Sequence, residues 1–267
     1  MTDAEFHFFC DFLINNCGIE LGYNKKYLAE SRLTPLLQEF NQASIADLIR
    51  QLSSNSSTSR HLRMRVIDAM TTNETFWFRE QNQFDELKNQ TIPKLLHSSH
   101  SLKLWSAGSS SGQEPYSCAM LLDHAFSKAR VDILATDISD TMIAQGRKAR
   151  YTESALARGM PFEFRQKYFQ RTESGYQLDA SIMRKVHWQK VNLLDSYLGL
   201  GRFHIILCRN VLIYFSAEAK KDIVQRLSES LYSGGYLFLS NTENIPVSMT
   251  GLQAIRGQYC RFYQKIG

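Results

Sequence analysis

The chain has 267 residues, 43% of them hydrophobic, 12% aromatic and 21% charged, with 31 Lys and Arg against 26 Asp and Glu. This is an ordinary globular composition, long enough for one large domain or a domain with a small partner of roughly 70 residues, and it excludes disorder as the main state. Every apolar run stops far short of the roughly 18 residues a membrane span needs, and the N-terminus Met1-Thr2-Asp3-Ala4-Glu5 is acidic where a secretory leader is basic and then apolar, so a soluble, cytoplasmic protein without membrane insertion is expected.

Residues 1–75 carry helical spacing: Phe6, Phe9, Phe12 and Leu13, then Leu28, Leu33, Leu36, Leu37 and Phe40, then Ile45, Leu48, Ile49 and Leu52. Polar breaks at 41–44 and 53–58 separate these runs, with Ser44 and Thr58 as the expected N-caps. An all-α domain over 1–75 follows. From Leu21 to Val66 it holds seven basic residues against three acidic ones, a local excess that the mild whole-chain charge of +5 hides.

Past residue 100 the pattern becomes β-α alternation, the mark of a parallel sheet with crossover helices. Leu102–Ala107, Val131–Thr136, Phe203–Cys208, Tyr236–Ser240 and Gln258–Gln264 read as strands; Glu114–Ala129, Ser139–Arg150 and Ala217–Tyr232 read as helices. The fold class expected for 76–267 is therefore α/β and Rossmann-like. Between Met160 and Val191 the alternation fails. Phe162-Glu163-Phe164, Tyr176-Gln177-Leu178 and Val186-His187-Trp188 around a turn at Glu173-Ser174-Gly175 predict a small antiparallel insertion at about 160–190.

Four strand ends carry polar chemistry. The first strand runs into Ala-Gly108-Ser-Ser-Ser-Gly112-Gln-Glu-Pro and a helix, a turn in which glycine lets the backbone approach a ligand at a helix start. It is neither G-x-G-x-x-G nor a P-loop, and a plain tight turn is the simpler alternative. The second strand ends at Asp137, placed to accept both hydroxyls of a ribose or to N-cap the helix near Ser139. Asn192-Leu193-Leu194-Asp195 and Cys208-Arg209-Asn210-Val211-Leu212-Ile213-Tyr214-Phe215 follow later strands, at the carboxyl edge where open α/β sheets bind ligands. A fifth element, Asn73-Glu74-Thr75-Phe76-Trp77-Phe78-Arg79-Glu80, reads as a packing helix or as a site segment in which the Arg79 fork suits a carboxylate. The five cysteines form no C-x-x-C pair, and among seven histidines only His97 and His100 are close, so neither disulfides nor a metal site is expected.

In this order and spacing, N-E-T-F-W-F-R-E, W-S-A-G-S-S-S-G-Q-E-P-Y-S, A-T-D-I-S, N-L-L-D and C-R-N-V-L-I-Y-F resemble the bacterial chemotaxis receptor methyltransferases of the CheR family over nearly the whole chain. The resemblance implies binding of S-adenosylmethionine and transfer of its methyl group to receptor glutamates, giving glutamyl methyl esters and S-adenosylhomocysteine. It implies that Asn73, Thr75 and Arg79 approach the cofactor from the helical side, that Glu114 and Asp137 line its pocket, and that Asn192, Leu193, Arg209 and Asn210 complete it. Arg79 and Tyr214 become the candidates for positioning the reacting groups. Ser109 and Ser111 stand where Cys and Thr are more usual in the family, and Gln113 where a first Glu is general.

The partners implied are the cytoplasmic methylation helices of chemoreceptors, docked through Arg50, Arg60, Arg63 and Arg65 if that basic stretch is more than a solvated face. Some relatives also bind a pentapeptide at the receptor C-terminus through a longer Gly-containing loop; the shorter turn Thr172–Gly175 predicts a weak or absent tether. Nucleic acid is not expected. Two other readings stand beside this one: a methyltransferase acting on nucleic acid or a small molecule, which the missing Asn/Asp-Pro-Pro-Tyr disfavours, and a cofactor-sensing module without turnover, which Arg79 and Tyr214 disfavour.

Overall fold

Helix α1 (Asp3–Cys17) begins in a capping box: the Thr2 hydroxyl accepts the Glu5 N–H while the Glu5 carboxylate accepts that of Thr2. It ends at Gly18, whose φ of 73° turns the chain back and whose N–H reaches Ile14 O. A Cβ there would stand 2.4 Å from the Phe215 ring, so this glycine is also where the helical layer touches the sheet domain. Helices α2 (Lys26–Glu39), α3 (Ile45–Leu52) and α4 (Ser57–Met70) complete a bundle whose core holds Phe6, Phe9, Leu13, Leu33, Leu48, Leu62 and Val66. Ser44 caps α3 as expected; α4 is capped by Ser56, two residues before Thr58. The computed structural model describes residues 1–54, 56–99, 101–245 and 251–267; Asn55 of the second polar break and His100 of the histidine pair lie outside the described residues.

The segment from Thr72 to Glu80 is not helical. After it, α5 (Gln81–Glu86), a π-helical turn (Leu87–Thr91) and α6 (Ile92–Ser98) lead into β1 (Ser101–Ala107). Then come α7 (Gln113–Ala125), β2 (Arg130–Asp137), α8 (Asp140–Lys148), β3 (Arg150–Tyr151), α9 (Glu153–Ala157), α10 (Phe162–Tyr168), β4 (Phe169–Thr172), β5 (Gly175–Leu178), α11 (Ala180–Met183) and β6 (Val186–Lys190). The chain closes with β7 (Phe203–Leu207), α12 (Ala217–Glu229), β8 (Leu231–Phe238), β9 (Leu252–Arg256) and β10 (Arg261–Lys265).

The main sheet has the order β6-β2-β1-β7-β8-β10-β9, parallel from β6 to β8 and antiparallel beyond. Leu104, Ile133 and Ile205 pack on one face and Trp105, Ile206 and Leu237 on the other, so the central strands are buried on both sides. The chain leaves β1 toward β2 on one side and returns as β7 on the other. That reversal opens a crevice at the carboxyl ends of β1 and β7.

The insertion differs in its parts from the sequence expectation. Its antiparallel sheet, β3-β5-β4, takes Arg150–Tyr151 and the hairpin 169–178. Phe162-Glu163-Phe164 is not a strand but the first turn of α10: Pro161 is already at φ −63°, and Phe164 packs on Tyr168 one helical turn later, leaving Phe162 73% exposed. Val186-His187-Trp188 belongs to the main sheet instead, paired parallel with β2 from Ile133 to Asp137. Three-residue alternations do not distinguish these outcomes; the available partners do.

Candidate active site

The crevice is a cleft of about 990 Å³, mouth included, between the sheet edge and the bundle. Cys17, Ile19 and Met70 wall it on the bundle side; Gly108, Asp137, Asn192, Arg209 and Val211 wall it on the sheet side; and 71–76 with Arg79 crosses between them. Asn73, Thr75, Arg79, Glu114, Asp137, Asn192, Leu193, Arg209, Asn210 and Tyr214 all line it, gathered from segments up to 141 residues apart.

The turn after β1 is shaped by its glycines. At Gly108, φ 78°, a Cβ would stand 2.5 Å from Val211 Cγ2, so the backbone itself forms the cleft wall. Ser110, also at positive φ, donates its N–H to Asp137 Oδ2 at 2.8 Å and its hydroxyl to Asn73 O at 2.9 Å, joining the turn to the crossing segment. Asp137 Oδ1 accepts the Ser139 N–H at 3.0 Å, while Ser139 Oγ accepts that of Met142 and is the cap of α8. Asp137 is thus not the cap. Burial lifts its carboxyl above the usual range, against the pull of the Ser139 and Ser110 N–H groups.

Beneath lies a buried ionic network. Arg209, its side chain 2% exposed, donates from Nη1 to Glu114 Oε2 at 2.9 Å and from Nη2 to Glu80 Oε2 at 3.3 Å and to the Arg79 carbonyl, with its guanidinium over the Phe84 ring. Glu114 Oε1 accepts the Ser106 hydroxyl at 2.7 Å. Burial raises the Glu114 carboxyl, and Arg209 and Ser106 oppose it. Arg209 therefore braces the cleft wall through protein carboxylates. Arg79 is different: half-buried, it makes one long bond to Glu74 O at 3.4 Å, lies 5.3 Å from the Phe76 ring centroid, and has no carboxylate partner among the described residues.

Asn192 is tied to both layers, donating to Asn16 O at 2.7 Å and accepting from Leu194 N at 3.1 Å. Leu193 beside it is buried. Tyr214, half-buried in a 3₁₀ turn (Leu212–Tyr214), is held by its carbonyl, which accepts the Glu20 N–H at 2.9 Å. Glu243, which no sequence pattern singled out, shapes this loop by accepting the N–H groups of Asn210, Ile213 and Ser240. Glu80 was visible only as the last letter of its string. Of six described non-glycine residues at positive φ, Glu80, Ser110 and Asn210 belong to this site and Phe78 directly precedes Arg79. Strained backbone concentrates where the surroundings over-determine it.

The four arginines expected to dock a receptor separate. Arg63 donates to Leu52 O at 2.9 Å and Ser54 O at 2.7 Å, and Arg65 grips Glu39 through two bonds of 2.7 and 2.9 Å. Arg50 is exposed beside Asp47 at 3.0 Å, and Arg60 is exposed. Among the described residues no cluster of three His, Cys, Asp or Glu could hold a metal, and no helix is long and apolar enough to cross a membrane.

Comparison with known proteins adds two family matches: the CheR methyltransferase all-alpha domain over residues 4–71 and the CheR methyltransferase SAM binding domain over 73–260. A chemotaxis protein methyltransferase 1 of Pseudomonas aeruginosa is 42% identical over 257 residues, covering 92% of this chain and 93% of its own. One of the same description from Vibrio cholerae serotype O1 is 42% identical over 258 residues, covering 94% and 92%. Among solved structures, a magnesium protoporphyrin IX methyltransferase from Synechocystis overlays with TM-score 0.38 and 15% identity over 87% of this chain and 95% of that one.

Proposed function

The chain belongs to the CheR family of SAM-dependent methyltransferases, and from that premise we propose that it esterifies glutamate side chains of methyl-accepting chemoreceptors for sensory adaptation, leaving S-adenosylhomocysteine. The cleft fits S-adenosylmethionine on its own geometry. Gly108 leaves room where a Cβ would strike Val211, Asp137 presents a buried carboxylate at the end of β2, and Glu114 of the first turn of α7 lines the cleft between them. We assign Asn73, Thr75, Arg79, Glu114, Asp137, Asn192, Leu193, Arg209 and Asn210 to holding it, Glu114 and Arg209 as a mutually neutralised wall.

When bound, the cofactor supplies an electrophilic methyl group on a sulfonium. The acceptor carboxylate is ionised near neutral pH, so the chain need not provide a strong base and orientation dominates. Arg79 supplies a guanidinium fork to orient that carboxylate. Tyr214 offers a hydroxyl on the same cleft, and the apolar rings of Phe76 and Phe215 exclude water beside it. The observation carrying this reading is the contrast at the cleft: two carboxylates match Arg209 and, among the described residues, none matches Arg79.

We further propose that 1–75 docks the receptor and 76–267 carries the chemistry. Arg60 and Arg50, which face solvent, carry the docking; Arg63 and Arg65 shape the surface that presents them. The hairpin joining β4 and β5 turns in two residues, Glu173 and Ser174, and supports a weak or absent pentapeptide tether. The test is transfer of a radiolabelled methyl group from S-adenosylmethionine to receptor cytoplasmic fragments, with release of methanol in base. Base-labile label is expected; cofactor binding with no labelled receptor across a broad panel would sink the assignment.

A further inference from the structure

The segment that carries Arg79 also meets the loop that follows α9. Trp77 donates its N–H to the Arg158 carbonyl at 3.1 Å. Gly159, at φ 93°, lies so close that a Cβ would stand 2.2 Å from the Trp77 carbonyl oxygen. These backbone contacts fix Arg158 beside Phe76, its guanidinium carbon 3.9 Å from the ring centroid, while that of Arg79 lies 5.3 Å from the same centroid. Arg158 Nη2 also holds Glu74 Oε1 at 2.7 Å. Glu74, Phe76 and Arg79 line the cleft, and Arg158 stands just outside it.

We propose that Arg158 is a substrate-selecting residue whose guanidinium takes a second acidic side chain of the acceptor segment, within one helical turn of the glutamate that reaches Arg79, in exchange for Glu74. The inference rests on the receptor reading above. Its physical basis is threefold. The Arg158 and Glu74 side chains are 47% and 60% exposed, and an ion pair that wet contributes little, so exchanging its carboxylate for another costs little. Two guanidiniums lie against one aromatic ring, so an acceptor helix whose glutamate reaches Arg79 can bring a second acidic side chain, one turn away and with Cβ atoms roughly 5–6 Å apart, to Arg158. The Trp77 and Gly159 contacts hold the loop backbone, so the Arg158 head group is not needed to keep the loop in place.

The test is methylation kinetics on a receptor cytoplasmic fragment, using the full-length enzyme. Arg158→Ala should raise KM for the fragment about tenfold, with a smaller change in kcat, a weaker dependence on salt and a cofactor Kd within twofold of wild type. Arg158→Lys should recover part of the loss, and Glu74→Gln, which removes the competing carboxylate, should lower KM. Neutralising the neighbouring acid of the fragment should cost the wild-type enzyme the same factor and the Arg158→Ala enzyme almost nothing. An active wild type whose KM is unmoved by Arg158→Ala, or equal losses for both enzymes on the neutralised fragment, overturns the inference alone. A wild type that labels no fragment overturns the receptor reading and this inference with it.

Discussion

In the helical bundle, Arg63 and Arg65 lie at the surface with their donors taken up by backbone carbonyls and by Glu39; at the cleft, Arg209 is buried between Glu114 and Glu80 while Arg79, on the segment that crosses from bundle to sheet, meets no carboxylate among the described residues. All four are arginines, two in the bundle and two at the cleft. Their environments give them different work. A solvated pair adds little to stability, a buried pair is indispensable once its partner is buried, and an unmatched fork is available to a ligand. Net charge along the sequence therefore overstates the basic face proposed for docking, since two of its four arginines are engaged within the bundle, and says nothing of the cleft, where the cation proposed to meet the acceptor is a single residue.

Arg209→Ala should have the largest effect, because it leaves Glu114 buried without its cation: a loss of about 3–5 kcal/mol in chemical denaturation, with cofactor binding lost alongside. A loss below about 1 kcal/mol would place Arg209 with the surface pairs and erase the contrast. Arg79→Ala should sharpen the comparison from the other side. Methyl transfer should fall by about 100-fold or more while unfolding free energy stays within about 0.5 kcal/mol, since the residue makes one long hydrogen bond. Near-normal turnover would remove Arg79 from the mechanism.

The smallest effects belong to the bundle. Arg65→Ala should cost about 0.5–1 kcal/mol and leave receptor KM nearly unchanged, whereas Arg60→Ala should raise KM a few-fold at low salt and leave stability alone. The Arg65 contribution carries a pH signature. The hydrogen bonds and charge of Arg65 hold the Glu39 carboxyl below the usual range, so its stabilisation is present above the ordinary glutamate pKa and is lost as the pH falls through the lowered one. Denaturation midpoints of wild type and Arg65→Ala should converge in acid. A gap that stays constant with pH would assign the loss to packing of the Arg65 stem.

The β-α rhythm and the helical spacing were legible because they are local: side chains that share a face lie two, three or four residues apart, and burial writes that period into the chain. The polar strand ends were legible for the same reason, since a strand, its turn and the next helix are contiguous, and that order alone puts Asp137 and Asn192 at the sheet edge. The arginines proposed for docking were legible only as charge. Which of them face solvent depends on Glu39 and the Leu52 and Ser54 carbonyls, none of them predictable partners from spacing alone.

By itself, then, the sequence determined a helical layer, a parallel sheet and a polar rim at its carboxyl edge, together with the strings that mark the family. The tertiary structure alone decided that Phe162 opens a helix, that Val186–Lys190 pairs with β2, that Glu243 ties down Asn210, and that Arg209 is matched while Arg79, among the described residues, is not. Arg209 and Glu114 are 95 residues apart in sequence, and Arg158 and Glu74 are 84 apart. Periodicity reports which face of an element is buried; it does not report which buried charge meets which, because that depends on elements brought together from distant parts of the chain when the core closes.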